Sequence, residues 1–181
     1  MAIGIELLKT TPLDQLPLDE VAGRAGISRT LLFHHFGSKR AYQVALVQAA
    51  GELLMEVTEP DPQAEIVEQL RSGIEAFLLF VDEHRGSYVA LVRGAAAFDD
   101  ELGAVVEGVR TGLVERVLAA AVPVGEPVDP FLRLRVRSWL ALTEEAALQW
   151  TATHEASLDE LVAFLGTALL TCLSPPSQLA S

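Results

Sequence analysis

Apolar residues recur every three or four positions along most of this 181-residue chain, and no stretch alternates between apolar and polar residues for long enough to predict a strand. Prolines, glycines and short polar runs interrupt this helical pattern. The segments between the interruptions predict about nine helices, near residues 2–11, 18–25, 29–35, 39–58, 63–84, 87–97, 100–121, 129–154 and 157–172. We therefore expect an all-α protein.

The order of the predicted helices indicates two domains. Three short helices precede six longer ones, which predicts a small domain at residues 1–47 and a larger helical domain at residues 48–173. The helix near 39–58 links them. Half of the residues are hydrophobic (50%), so a sizeable core can form. The last segment, 174–181, contains Pro175 and Pro176 and is predicted to be a frayed tail.

Charge is distributed unevenly along the chain. The formal net charge is −12, but the first fifty residues carry five basic and four acidic side chains, and the remainder carries eight basic and 21 acidic ones. Attraction to DNA phosphates depends on the charge within about 8 Å, the Debye length at physiological salt. A near-neutral N-terminal region attached to an acidic body is therefore compatible with DNA binding.

The sequence also predicts a cellular compartment. Cys172 is the only cysteine, which excludes an internal disulfide and suits a reducing environment. The longest uncharged runs are too short to span a bilayer, and the first residues lack the pattern of a signal peptide. We expect a cytoplasmic protein with no membrane partner.

Residues 18–36 combine two short predicted helices with a tight turn, which is the pattern of a helix-turn-helix. Gly26, at the centre of the turn, permits the positive φ that ends the first helix. Ser28 is placed to cap the second helix. Ala22 and Ala25 are small enough to let the two helices cross closely. The side chains predicted to face inward are Val21, Ile27, Leu32 and Phe36.

The outer face of the second short helix is predicted to carry Arg29, Thr30, Phe33 and His34. A capped helix with a basic, polar and aromatic face is suited to the major groove of DNA. Arginine can pair with a phosphate or a guanine edge, threonine can contact a base, and histidine can donate to either.

The same segment resembles the signature of the TetR/AcrR family of bacterial regulators. The matching elements are Val21-Ala22, Ala25-Gly26, Ser28, Phe33-His34-His35-Phe36 and Ser38-Lys39, and the strong match covers about residues 3–47. The resemblance implies that DNA is contacted by Ser28, Arg29, Thr30, Phe33, His34, His35 and Lys39. It also implies a homodimer formed through the last two helices, at about 129–172, and an effector cavity in the larger domain. The expected function is that of a ligand-responsive repressor acting on a palindromic operator.

The sequence departs from the usual family pattern at several positions. Phe33 stands where a tyrosine commonly contacts phosphate, Pro17 where a threonine often does, and Leu31 replaces a common threonine. We also expect no basic arm ahead of the first helix. The alternative interpretation is therefore a helical small-molecule-binding protein of the same fold with weak or lost DNA binding.

The predicted effector site is in the larger domain, where the helices near 63–84, 100–121 and 129–154 are expected to line a cavity for a small apolar or aromatic effector. The candidate lining residues are Phe77, Phe80, His84, Tyr88, Arg93 and Trp139, with Arg93 or His84 as a polar anchor. Each of these residues has a competing interpretation as ordinary core or surface. Trp139 and Trp150 share a helix face, so either can fill the dimer interface or close the cavity.

Catalysis and metal binding are not predicted. The chain has no Gly-x-Ser-x-Gly, no phosphate-binding loop and no Glu-x-x-His pair. The neighbours His34 and His35 point in different directions on a helix, which makes them poor partners for one metal ion. We expect no enzyme activity, no cofactor and no metal.

Overall fold

The computed structural model of this chain describes residues 1–95, 99–123 and 125–174. Within those ranges there are nine α-helices and no β-strand, so the predicted all-α class is confirmed. In chain order the helices are α1 (Ala2–Leu8), α2 (Leu18–Arg24), α3 (Arg29–Phe36), α4 (Lys39–Val57), α5 (Ile66–Glu83), α6 (Arg85–Ala90), α7 (Asp100–Ala121), α8 (Pro130–Thr153) and α9 (Leu158–Leu173).

Three helix boundaries differ from the prediction. Helix α1 ends at Leu8 rather than near residue 11, because the backbone N–H groups of Thr10 and Thr11 both bond to the carbonyl of Leu7 in a closing turn before Pro12. Helix α5 begins at Ile66 rather than near 63, after a separate turn closed on Asp61. The helix predicted at 87–97 is instead α6 followed by a π-helical turn at Leu91–Ala95. Residues 96–97 of that prediction, and 175–181 of the predicted tail, lie outside the described residues.

Local side-chain caps fix several helix starts. The Oγ atoms of Ser28 and Ser38 accept hydrogen bonds from backbone N–H groups at the starts of α3 and α4. Asp129 caps α8, with Pro130 at the first helical position. Ser157 and Glu160 form a reciprocal capping box at α9. These starts follow from the local sequence without help from distant contacts.

The described residues form two compact units. The first contains Met1–Leu54 and Glu83–Val109, and the second contains Met55–Asp82 and the described residues from Arg110 onward. Helices α4 and α7 each contribute residues to both units. The domain boundary predicted between residues 47 and 48 separates segments by their expected roles rather than by compactness, and it stays a prediction.

The core of the first unit gathers around α4. Tyr42 and Leu46 are almost completely buried, together with side chains from α1, α2 and α3. Gly4 permits this packing, because a Cβ atom at that position would lie 2.4 Å from the Tyr42 hydroxyl. The buried Ser87 hydroxyl lies within hydrogen-bond distance of two carbonyl oxygens, that of Leu8 at the end of α1 at 2.7 Å and that of Thr11 in the following turn at 2.9 Å.

The second unit has its own core. Helix α8 packs against α9, where the indole N–H of Trp139 donates to the carbonyl of Leu165 at 2.9 Å. Val136, Leu165 and Leu169 are fully buried in this unit. The described residues contain no helix that is long and apolar enough to cross a membrane.

Candidate nucleic-acid interface

Helices α2 and α3 pack against each other across a turn at residues 25–28. Gly26 has φ of +68° there, as its predicted role requires. The N–H of Ile27 donates to the carbonyl of Ala22 at 3.0 Å, which closes the end of α2. Ala22 is 3% exposed, so its small side chain lies inside the packed pair. The predicted helix-turn-helix geometry is therefore confirmed.

The inward-facing set is partly different from the prediction. Val21 and Leu32 are buried, each 4% exposed. Ile27 was predicted to face inward but is 36% exposed, because it belongs to the turn and precedes the extended Ser28. Phe36 is half-buried, with its ring edge-on to Tyr42 at a centroid distance of 4.9 Å.

The outer face of α3 carries Arg29, Thr30 and His34, all of which are exposed. Phe33, predicted for the same face, is half-buried and packs against the core of the first unit. The Arg29 guanidinium lies over the Phe33 ring, 5.4 Å from its centroid. Phe33 therefore orients Arg29 and offers only part of its own ring to a partner molecule.

The remaining predicted DNA contacts lie at the two ends of α3. Ser28 is exposed at its N-terminus, where its hydroxyl oxygen is used as the cap. His35 is exposed near the other end, with its ring edge-on to Phe36 at 4.7 Å. Lys39 is exposed at the first position of α4, and its Nζ donates to the backbone carbonyl of Asp14 at 3.0 Å.

The arginines of this segment are paired with carboxylates. Nη1 of Arg29 lies 2.7 Å from Oδ2 of Asp19, and both side chains are more than half exposed. Arg24 lies 3.8 Å from Glu20. Arg40 pairs with Asp99, beside Glu101. The Arg29 and Arg24 pairs are exposed, and exposed pairs are worth only about 0–1 kcal/mol, so phosphates can replace these two carboxylates at little cost.

Two family models match the chain. One, described as bacterial regulatory proteins of the tetR family, covers residues 2–42, and the other, described as the tetracyclin repressor-like C-terminal domain, covers residues 66–171. The chain belongs to the TetR family. It is thus a DNA-binding transcriptional regulator by family, and the α2–α3 pair is its helix-turn-helix. A comparison with curated proteins finds no significant match.

Solved structures of transcriptional regulators resemble this one over nearly its whole length. A regulator from Streptomyces coelicolor is 30% identical, with a TM-score of 0.83, over 94% of this chain and 77% of that protein. A TetR-like regulator from Rhodococcus sp. RHA1 is 25% identical, with a TM-score of 0.67, over 95% of this chain and 92% of that protein. Another regulator from Rhodococcus is 18% identical and shares the fold, with a TM-score of 0.77 over 95% of this chain and 92% of that protein.

The second unit of this TetR-family protein contains a partly open cavity of about 80 Å³. Apolar side chains from α5, α7, α8 and α9 form most of its wall. Phe77 and Trp139, two of the predicted effector residues, are among them. Phe80 is buried elsewhere in the same unit. His84, Tyr88 and Arg93 belong to the first unit, so the two residues proposed as anchors do not line this cavity.

The cavity has polar residues that the sequence analysis did not single out. Arg116 on α7 and Thr58, the residue after α4, both line it and form a hydrogen bond of 2.7 Å from Nη1 to Oγ1. A signal was present in the sequence: Arg116 occupies the same helical stripe as Leu113 and Ala120, where an apolar residue is expected. The described residues contain no group of three or more potential metal ligands.

Proposed function

We propose that this TetR-family protein is a ligand-responsive repressor that binds a palindromic operator as a homodimer, with one α3 helix in each half-site. The observation that carries the proposal is the exposed face of α3, where Arg29, Thr30 and His34 are presented by a capped helix on a packed helix-turn-helix. Half-sites are then spaced by about one turn of DNA, roughly 34–36 Å, or somewhat more.

DNA binding is tested with the DNA immediately upstream of the protein's own gene, by gel shift and footprinting. The double substitution Arg29→Ala and His34→Ala removes two exposed groups of α3 and is expected to abolish the shift. Arg71→Ala, which removes an exposed cation from α5, is the control and is expected to leave the shift unchanged. Equal binding by wild type and the double variant would show that α3 is not the recognition helix.

The homodimer is supported by apolar side chains that α8 and α9 leave exposed. Phe131, Leu134 and Leu142 on α8 are 52%, 57% and 41% exposed, and Phe164 on α9 is 54% exposed. Exposed apolar surface of this extent is typical of association surfaces. We expect the wild type to be a dimer in light scattering at micromolar concentration.

A matched pair of substitutions tests whether dimerisation depends on this surface of α8 and α9 or on exposed apolar residues in general. Phe164→Glu is expected to give a monomer, because two like charges would face each other across a two-fold interface. Leu79→Glu, at an α5 residue that is 47% exposed, is expected to leave the dimer intact. A wild-type monomer, or a dimer that survives Phe164→Glu, contradicts the proposed interface.

Ligand response is supported by the cavity of the second unit. Thr58 in its wall directly follows Val57, the last residue of α4, and α4 begins three residues after α3 ends. We propose that ligand binding displaces α4 and changes the separation of the two α3 helices in the dimer. Such a switch requires that the ligand bind the two forms with different affinities.

A protein of this fold that has lost DNA binding is the second candidate. It is favoured by the carboxylate on Arg29, the backbone contact of Lys39 and the absence of a hydroxyl on Phe33. The same gel shift decides between the two, because only the repressor retards the upstream DNA at physiological salt. A protein that retards no DNA but binds a small molecule would support the second candidate.

A further inference from the structure

The cavity of the second unit has an apolar wall with one cation in it. Arg116 is the only charged side chain that the described residues contribute to the lining. No carboxylate among those residues lies within ion-pair distance of Arg116. Three other arginines of the unit are paired with carboxylates: Arg71 with Glu68 and Glu75, Arg110 with Glu144, and Arg133 with Glu115. Arg116 thus differs from them in having only a hydroxyl partner.

The polar neighbours of Arg116 leave most of its hydrogen-bonding capacity unused. A guanidinium has five N–H donors, and Arg116 uses one of them to Thr58 at 2.7 Å. The other polar groups of the wall donate within the chain. Thr143 Oγ1 donates to the Trp139 carbonyl at 3.0 Å, and the side-chain amide of Gln69 donates to the Ala64 carbonyl at 2.8 Å. Among the described side chains of the wall, Arg116 therefore has the largest number of N–H donors without a partner in the chain.

We propose that the ligand of this cavity is a compact carboxylic acid with an apolar body, whose carboxylate pairs with Arg116. The planar guanidinium matches a carboxylate in two parallel hydrogen bonds. Thr58 holds the guanidinium at the wall, and Phe77, Trp139 and Leu140 contact the apolar body. This inference rests on the proposed ligand response and adds the chemical class of the ligand.

The size of the cavity limits the apolar body. Its volume is about 80 Å³, well below the roughly 300–1,000 Å³ of pockets that take drug-sized ligands. A dry cavity of about 150 Å³ takes up benzene, so a single aromatic ring or a short aliphatic chain is an upper limit here, and the open side of the cavity has to accommodate part of it. We therefore choose phenylacetate and hexanoate as probes, with phenylacetamide and hexanamide as uncharged counterparts of nearly the same shape.

Binding is measured without DNA, by tryptophan fluorescence and calorimetry. The chain has two tryptophans, so Trp150→Phe leaves Trp139 in the cavity wall as the only reporter. Each acid is expected to change Trp139 fluorescence in a saturable way and to bind about 10- to 100-fold more tightly than its amide, because a charge-assisted hydrogen bond contributes more than a neutral one. Equal affinities of acid and amide, or no saturable binding of either acid, would overturn the inference.

Variants test the role of Arg116 directly. Arg116→Gln is expected to reduce acid affinity to that of the amide and to leave amide affinity unchanged. Arg133→Gln is the matched control, since it removes an exposed cation of the same unit, and it is expected to change neither affinity. Arg116→Lys keeps the charge without the paired geometry and is expected to give intermediate affinity, which also covers the case in which Arg116→Gln does not fold. Full acid affinity in Arg116→Gln or Arg116→Lys would overturn the inference.

The inference and the proposed function fail in different ways. Acid binding that requires Arg116 but leaves the gel shift unchanged supports the ligand class and contradicts the ligand response. Release of DNA by an amide, with no binding of either acid, supports a ligand response and overturns the ligand class.

Discussion

In the proposed complex with DNA, the phosphates compete with Asp19 for Arg29. This predicts that removing the Asp19 charge raises DNA affinity, whereas most substitutions in a DNA-binding segment lower it. The Arg29 and Asp19 side chains lie 2.7 Å apart and are 54% and 74% exposed. An ion pair with this exposure contributes about 0.2–1 kcal/mol. Releasing Arg29 from it corresponds to a factor of roughly 1.4–5 in the dissociation constant. We therefore expect Asp19→Asn to bind upstream DNA about 1.4- to fivefold more tightly at low salt.

Fluorescence anisotropy of a labelled upstream duplex, titrated over a series of salt concentrations, measures this gain. The gain should shrink as salt rises, because exposed charges are screened. Glu20→Gln is the matched control: it removes the same charge one residue away, but its partner is Arg24 at 3.8 Å rather than Arg29. We expect a smaller effect from Glu20→Gln.

A double-mutant cycle isolates the pair. In an Arg29→Ala background, Asp19→Asn is expected to produce only the small change that any lost negative charge produces. The reasoning is refuted if Asp19→Asn weakens DNA binding, which would mean that Asp19 positions Arg29 for contact. It is also refuted if the gain is equally large without Arg29.

Three further predictions concern the stability of the first unit and are checked by urea unfolding at one fixed protein concentration. Gly51→Ala should lower the unfolding free energy by about 1–3 kcal/mol, because a Cβ atom there would lie 2.5 Å from Val109 Cγ2. Gly108→Ala is the control: nothing lies within 4 Å of its Cβ position, so it should raise the unfolding free energy by about 0.5–1 kcal/mol. Equal changes in unfolding free energy for the two variants would contradict the close approach of Gly51 to Val109. Ser87→Ala should cost about 1–3 kcal/mol, since it removes the one hydroxyl proton that the carbonyls of Leu8 and Thr11 share, and a neutral result would mean that water replaces it. Tyr42→Phe should be neutral or stabilising by up to about 1 kcal/mol, because the buried hydroxyl has no hydrogen-bond partner among the described residues; a clear loss of stability would reveal one.

The burial of Tyr42 has an electrostatic counterpart. Desolvation raises the pKa of its phenol above the ordinary value, because the charged form is disfavoured inside the core. The folded state therefore keeps this proton over a wider pH range than the unfolded chain does.

The sequence was most informative where the decisive interactions are local. Gly26 and Ser28 were assigned their roles correctly, because a positive φ and an N-cap are determined within a few residues. The helix-turn-helix could be predicted in outline for this reason.

Positions set by tertiary packing were harder to predict. Ile27 fits the inward apolar pattern of the sequence, yet the turn leaves it 36% exposed. Phe33 was assigned to the outer face, but it is half-buried because its ring packs against the core of the first unit. Pairing of Arg29 with Asp19 joins residues ten positions apart on different helices, which helical spacing does not reveal.

The effector cavity illustrates a different difficulty. Phe77 and Trp139 could be chosen by residue type, and both line the cavity. His84 and Arg93 were chosen as anchors, but they follow α5 in a segment that belongs to the first unit, and the sequence does not show where that division falls. Arg116 interrupts an apolar stripe of α7, but the sequence does not show that it lines a cavity. That no carboxylate among the described residues pairs with it is a property of three-dimensional packing.

The first unit is discontinuous in sequence, and this has a consequence for protein engineering. Residues 1–54 are completed by residues 83–109, and the buried Ser87 hydroxyl ties the second segment to the end of α1. A chimaera that transplants only the N-terminal residues would leave the carbonyls of Leu8 and Thr11 without that donor and would expose side chains that pack on Leu102. Exchange of DNA specificity between related regulators should therefore transfer both segments, or should be confined to side chains on the outer face of α3.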